Sequence, residues 1–209
     1  NLKLTKKNTS FSKPKNSEKI YIMIASTHQN EESLIISSLE NISKKYPLVN
    51  FFVAPRHPSR SRSIYKLFKD KKLDVEYHSK SKNLNCRFLI IDSFGKMEQF
   101  FNISDIVFLG GSLSKNGGHN PIEAAIANCA IISGSNVFNW ENLYEEMLAK
   151  EACIMINEVQ QFETKTINLI ENKNLIENYK KNALSFSNTV FFQGDKLLEI
   201  LNKRLEQNA

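Results

Sequence analysis

The stretch 106–127, IVFLGGSLSKNGGHNPIEAAIA, constrains what this chain can fold into more than any other. Ile106-Val107-Phe108-Leu109 is an unbroken apolar run that ends abruptly at Gly110-Gly111, the pattern of a buried strand. Beyond it, Gly117-Gly118 can take backbone angles closed to other residues, Asn120 suits an N-cap, and Pro121 suits the first helical position. A helix is therefore expected to open here with its free N–H groups facing the loop, an arrangement that attracts anions. The two glycine pairs let backbone approach a ligand closely, and Ser112, His119, Asn120 and Glu123 add polar side chains near the helix start. On spacing alone, a phosphate-sugar site and a plain βα turn fit equally well, because glycine pairs are common in loops.

The same strand-then-helix pattern recurs along most of the sequence. Strands are expected at 20–25, 49–54, 75–78, 88–91, 130–132 and 153–156, besides the one at Ile106. Helices are expected after Asn30, with an apolar stripe of Leu34, Ile35, Leu39 and Ile42 ending at Tyr46-Pro47, and then over 59–72, 96–102, from an Asn139 cap to Lys150, and from Gln160 onward. Such alternation predicts an α/β fold: a Rossmann-like parallel sheet with helices on both faces. Ligands bind such sheets at the C-terminal ends of the strands, where strand order reverses. Residues 1–19, rich in Lys, Asn, Ser and Thr, read as a disordered or linker segment, leaving 20–209 as one domain with a helical C-terminal region.

Composition narrows the function. The net charge of +6 suits an anionic partner, but Lys and Arg are spread along the chain rather than gathered with aromatics, which argues against nucleic acid. Cys86, Cys129 and Cys153 are odd in number, widely spaced and set in apolar runs, so they read as reduced core residues. His28, His57, His78 and His119 lack metal-ligand spacing, so no metal is expected. No segment approaches the length of a membrane span and no signal peptide opens the chain, so these residues are expected to be soluble.

Other loops at strand ends carry candidate chemistry. Arg56 and His57 lie in APRHPSR, where an arginine can grip a phosphate with two parallel hydrogen bonds or merely sit solvated over a helix start. Ser26-Thr27-His28 precedes Glu31-Glu32, which either line a site floor or serve as first-turn acids. Asp92-Ser93-Phe94-Gly95 follows another strand, and Glu123 reads equally as a ribose acceptor or a first-turn glutamate. Phe138 and Trp140 read as packing residues.

In order, these segments resemble motifs of the bacterial Kdo transferases, two-domain GT-B glycosyltransferases that move 3-deoxy-D-manno-octulosonic acid (Kdo) from CMP-Kdo to a lipid A precursor. The glycine stretch resembles the family's GGS…GGHNPxE, PRHPSR its PRHPER, STHQNEE its STHxGEE, DSFGKM its DTxGEL, and GSNVFNW its GPHxFNF. Departures are Asn30 for glycine, Lys96 for glutamate, Met97 for leucine, and Ser135-Asn136 for proline and histidine. The resemblance covers about half the chain and implies the C-terminal, donor-binding half of a GT-B fold.

It further implies donor contacts from Arg56, His57, Ser93, Phe94, Gly95, Met97, Gly110, Gly111, Ser112, Gly117, Gly118, His119, Asn120, Glu123 and Asn139. The Ser93–Met97 loop would hold the cytosine through backbone groups. The implied partners are CMP-Kdo, an N-terminal acceptor domain of the same protein, and through it a lipid A precursor. The full protein would work in lipopolysaccharide biosynthesis at the cytoplasmic face of the inner membrane of a Gram-negative bacterium, without a metal cofactor. The family's general base lies in the N-terminal domain, so no catalytic residue is expected here and this chain alone should be inactive. Asn1-Leu2-Lys3 resembles the family's interdomain linker. A GT-B half using a UDP-sugar and a non-enzymatic Rossmann-like binding module remain as other readings.

Overall fold

The computed structural model describes residues 18–81 and 86–207, with side chains up to residue 190. Seven strands form one all-parallel sheet: β1 (Ile20–Thr27), β2 (Val49–Pro55), β3 (Val75–Tyr77), β4 (Phe88–Ile90), β5 (Ile106–Leu109), β6 (Ala130–Gly134) and β7 (Ile154–Ile156). Their order is β3-β4-β2-β1-β5-β6-β7. The chain first builds outward from β1 on one side and then returns to pair β5 against its other edge, so strand order reverses between β1 and β5. Ile22 is accordingly in register with Phe51 on one side and Ile106 on the other.

Because strand side chains alternate, β1 feeds two separate cores. Ile22 and Ile24 point to a layer formed by α1 (Glu31–Lys45), α2 (Ser61–Asp70), α6 (Gln160–Glu171) and the start of α7 (Lys173–Gln207). Tyr21, Met23 and Ala25 point to the opposite layer, formed by α3 (Met97–Phe101), α4 (Ile122–Ile126), α5 (Glu141–Ala149) and the middle of α7. Fully buried aromatics such as Phe51, Phe88 and Phe108 on one face and Phe52 and Phe100 on the other contribute about 1.5–3 kcal/mol each relative to exposure. Both faces are covered, which is why the strands read as continuous apolar runs.

Several expectations need correcting. In α1 the buried stripe is Ile35, Ile36, Leu39 and Ile42, while Leu34 is 49% exposed: the face that meets the sheet is turned by one side chain from the one expected. Asn30 makes no side-chain cap; it holds a left-handed backbone with φ 73°, which asparagine tolerates. The segment after β2 begins with a 3₁₀ turn at Pro58–Arg60 before α2. Helix α4 starts at Ile122, one residue after Pro121, and is only five residues long. Pro121, not Asn120, takes its N-cap position, although the Asn120 Oδ1 accepts the Ile122 N–H at 3.0 Å from one residue further back. Asn139 does not cap α5, because its Nδ2 donates to the Asn116 carbonyl at 3.1 Å and Trp140 takes the cap position. Phe138 and Trp140 are not core residues but are 62% and 36% exposed, since the loop carrying them folds over the glycine-rich turn rather than under the sheet. All three cysteines are free and buried. Most of the expected 1–19 linker lies outside the described residues.

Candidate functional site

The loops singled out from the sequence gather at the C-terminal edge of the sheet, centred on the reversal between β1 and β5. The organiser is Glu31, fully buried at the start of α1. Its Oε2 accepts the N–H groups of His28 at 2.8 Å and Gly111 at 2.6 Å, and its Oε1 accepts that of Leu113 at 3.0 Å. One carboxylate thus ties the β1 loop to the β5 loop with three charge-assisted bonds. Glu32 does similar work toward β2: its carboxylate accepts Thr27 Oγ1 at 2.5 Å and Arg60 Nη2 at 2.6 Å, while Arg60 Nη1 donates to the Thr27 carbonyl at 2.8 Å. Buried carboxylates need such partners, and the pair Glu31-Glu32 is therefore scaffold rather than simple helix-dipole decoration.

This scaffold changes the role of the glycines. Gly111, Gly117 and Gly118 have φ of 69°, 83° and 70°, as their loop required. Several glycine N–H groups of this loop, however, are spent inside the protein: Gly110 N–H on the Ala25 carbonyl, Gly111 N–H on Glu31 and Gly118 N–H on the Gly111 carbonyl. A Cβ on Gly110 would come within 2.7 Å of the Thr27 Cα, so that glycine permits two loops of this chain to approach closely. Ser112 is likewise internal, 1% exposed, donating to the Leu109 carbonyl at 2.6 Å and accepting the Gly134 N–H at 2.8 Å. Its hydroxyl is thus engaged in holding β6 to β5.

What the edge offers outward is side chains. His28 and His119 stack at 5.1 Å between ring centroids, with Nε2 to Nε2 at 3.0 Å. The Tyr144 hydroxyl donates to the His119 carbonyl at 2.9 Å and holds that loop in place. Burial pushes both imidazoles below the ordinary histidine range; the Arg56 guanidinium acts in the same direction on each, whereas Glu31 opposes. Arg56 and His57 are exposed. The Arg56 backbone is anchored by its N–H to the Thr27 carbonyl at 3.0 Å, and among the described residues its guanidinium has no carboxylate partner. Glu123 stands exposed on the first turn of α4.

The other candidates lie to either side. Phe138 and Asn139 cover Gly117, where a Cβ would come within 2.2 Å of Asn139 Nδ2. The Ser93–Met97 loop leaves β4 three strands from β5, roughly 14 Å away at ordinary strand spacing. Gly95 has φ 72°, and Phe94 is 76% exposed above this loop. Sequence reasoning brought Arg56, His119, Asn120 and Glu123 to one end but missed His28 as the partner of His119. A histidine in the loop directly after the central strand was the available signal. A groove of about 630 Å³ between α1 and α2, lined by Arg60, Ser63 and Leu67 among others, lies beside this shelf but does not include the histidines. Among the described residues no cluster of three His, Cys, Asp or Glu side chains could hold a metal, and no helix is long and apolar enough to cross a membrane.

No family model matches the chain. It is 30% identical over 190 residues to the 3-deoxy-D-manno-octulosonic acid transferase of Haemophilus influenzae, covering 88% of this chain and 44% of that protein. It is 33% identical over 190 residues to the enzyme of the same name from Rickettsia conorii, covering 88% and 40% respectively. The chain thus spans less than half the length of these relatives. Among solved structures it is similar to the C-terminal CMP-Kdo binding domain of WaaA from Acinetobacter baumannii, with a TM-score of 0.75 and 24% identity over 80% of this chain and 89% of that one. It also resembles the C-terminal domain of a group 1 glycosyl transferase from Francisella tularensis, with a TM-score of 0.57 and 16% identity. The seven-stranded parallel sheet with its helices matches the Rossmann-like fold of GT-B glycosyltransferases.

Proposed function

We propose that this chain is the donor-binding domain of a Kdo transferase, binding CMP-Kdo at the C-terminal edge of its sheet. The similarity to Kdo transferases over 88% of the chain supports the reading. The observation that carries it is an exposed Arg56, without a carboxylate partner among the described residues, beside the His28–His119 pair at the reversal between β1 and β5.

In this reading the donor phosphate is held by the Arg56 fork, with His57 and His119 beside it, and these groups stabilise the charge that collects on CMP as it leaves. The ordered glycine loop excludes water and fixes His119, while Glu123 accepts from ribose hydroxyls. The Ser93–Met97 loop receives the cytosine through its backbone, which tolerates Lys96 in place of the family's glutamate. Helix α4 contributes little by its dipole, being five residues long with its Ile122 N–H already used. The acceptor, a lipid A precursor, and the general base that activates its hydroxyl belong to an N-terminal domain, and the whole protein would act on the cytoplasmic face of a bacterial inner membrane. No metal takes part in this scheme.

Chemical-shift titration with CMP and UMP tests the proposal. CMP is expected to perturb Arg56, His57, the Ser93–Met97 loop and His119 to Glu123, and UMP to bind more weakly. Equal or stronger UMP binding would favour a UDP-sugar donor. No perturbation by either at millimolar ligand would leave a binding module of another kind.

A further inference from the structure

The contact between His28 and His119 holds more information than two ligand-facing rings. With Nε2 to Nε2 at 3.0 Å, the gap accommodates one hydrogen: one nitrogen donates and the other must accept. The pair can therefore be neutral or carry one positive charge, but two N–H groups cannot face each other across that distance.

The surroundings set which of these states is stable. At the start of α1, Glu31 favours the charged ring, but its oxygens already accept three backbone N–H groups. From the β2 loop, Arg56, Arg60 and His57 oppose charge on His28, and Arg56 opposes it on His119. On the β5 loop, a hydrogen bond to the Ser26 backbone favours protonation of His119. From α5, the Tyr144 hydroxyl meets the His119 carbonyl rather than its ring. Burial, the largest effect on both rings, and these positive neighbours together disfavour charge on the pair, and an incoming anion offsets them.

We propose that His28 and His119 act as one unit that takes a single proton from solvent when a phosphate-bearing ligand binds, which makes His28 a binding residue beside His119. The proposal rests on the donor-site reading above. It also gives the site a means of matching its charge to the ligand: the proton arrives with the phosphate and departs with it.

The test is calorimetric titration of the 209-residue chain with the methyl ester of CMP, a phosphodiester that does not itself titrate near neutrality. Measurements in buffers of differing ionisation enthalpy at about pH 6.5 count the protons taken up. Uptake approaching one proton per ligand is expected, with affinity falling up to about tenfold per pH unit as pH rises through the pair's range. His28→Phe, which keeps the stacked ring, and His28→Gln should each cut the uptake at least about threefold. Ring-nitrogen NMR on the parent chain gives a readout independent of any variant: both imidazoles should shift toward protonated values together. Binding without proton uptake, uptake unchanged in both variants, or one ring shifting alone would overturn the pair. Absence of binding at every pH would overturn the donor site itself and the pair with it.

Discussion

At the scale of single residues, charge placement separates side chains that hold the fold from those free for a ligand. Arg56 and Arg60 share one short loop, yet Arg60 is locked against Glu32 and the Thr27 carbonyl while Arg56 has no acid partner among the described residues. Arg56→Lys should therefore weaken CMP binding about tenfold, because a point charge cannot reproduce a two-pronged contact. Its melting temperature should stay close to that of the parent, and measuring both quantities on one preparation checks the pair of outcomes. Glu31→Gln should do the reverse of a ligand contact. It places an amide against N–H donors that a carboxylate oxygen now accepts, and should cost about 2–4 kcal/mol in urea unfolding. From the sequence, Arg56 and His119 were legible because an arginine or histidine after a strand suggests a ligand. The role of Glu31 was not, because an acid in a first turn looks the same whether it faces solvent or three backbone donors.

At the scale of elements, the strands were legible almost to the residue, since unbroken apolar runs between turn signals leave little choice of register. The error in α1 shows the limit of such reading. Leu34 and Ile36 are equally apolar, and only the sheet beneath decides which is covered. Leu34→Lys should accordingly change stability by no more than about 0.5 kcal/mol. The glycines were recognised as special, and the structure adds that they also let neighbouring loops approach each other, which sequence cannot tell from the approach of a ligand. Gly134→Ala provides the contrast: its new Cβ would sit 2.3 Å from the Ser112 carbonyl oxygen, forcing β6 and the β5 loop apart. A loss of about 1–3 kcal/mol is expected, read by the denaturation midpoint. A midpoint like the parent's would show that these two segments yield more easily than their bonds suggest.

For the whole molecule, burial lowers the proton affinity of His28, His78 and His119 below the ordinary value of 6.5. The unfolded chain then binds more protons than the folded one once pH falls below that value, so stability is fully present above it and is lost as pH descends toward the folded-state values. A melting temperature that declines from about pH 7 to about pH 5 is expected, and a flat profile would contradict it. The strand order has a consequence of another kind, for the making of the protein. The backbone of Tyr21, in β1, is completed by a bond to Asp105, 84 residues later, and the strand's second neighbour begins at Ile106. On the ribosome, at 5–20 residues per second, the central strand must wait on the order of ten seconds for that partner to be synthesised. Throughout that interval the nascent chain presents its most apolar edge unpaired, and translation speed over residues 50–105, as much as final stability, governs how much of it escapes aggregation.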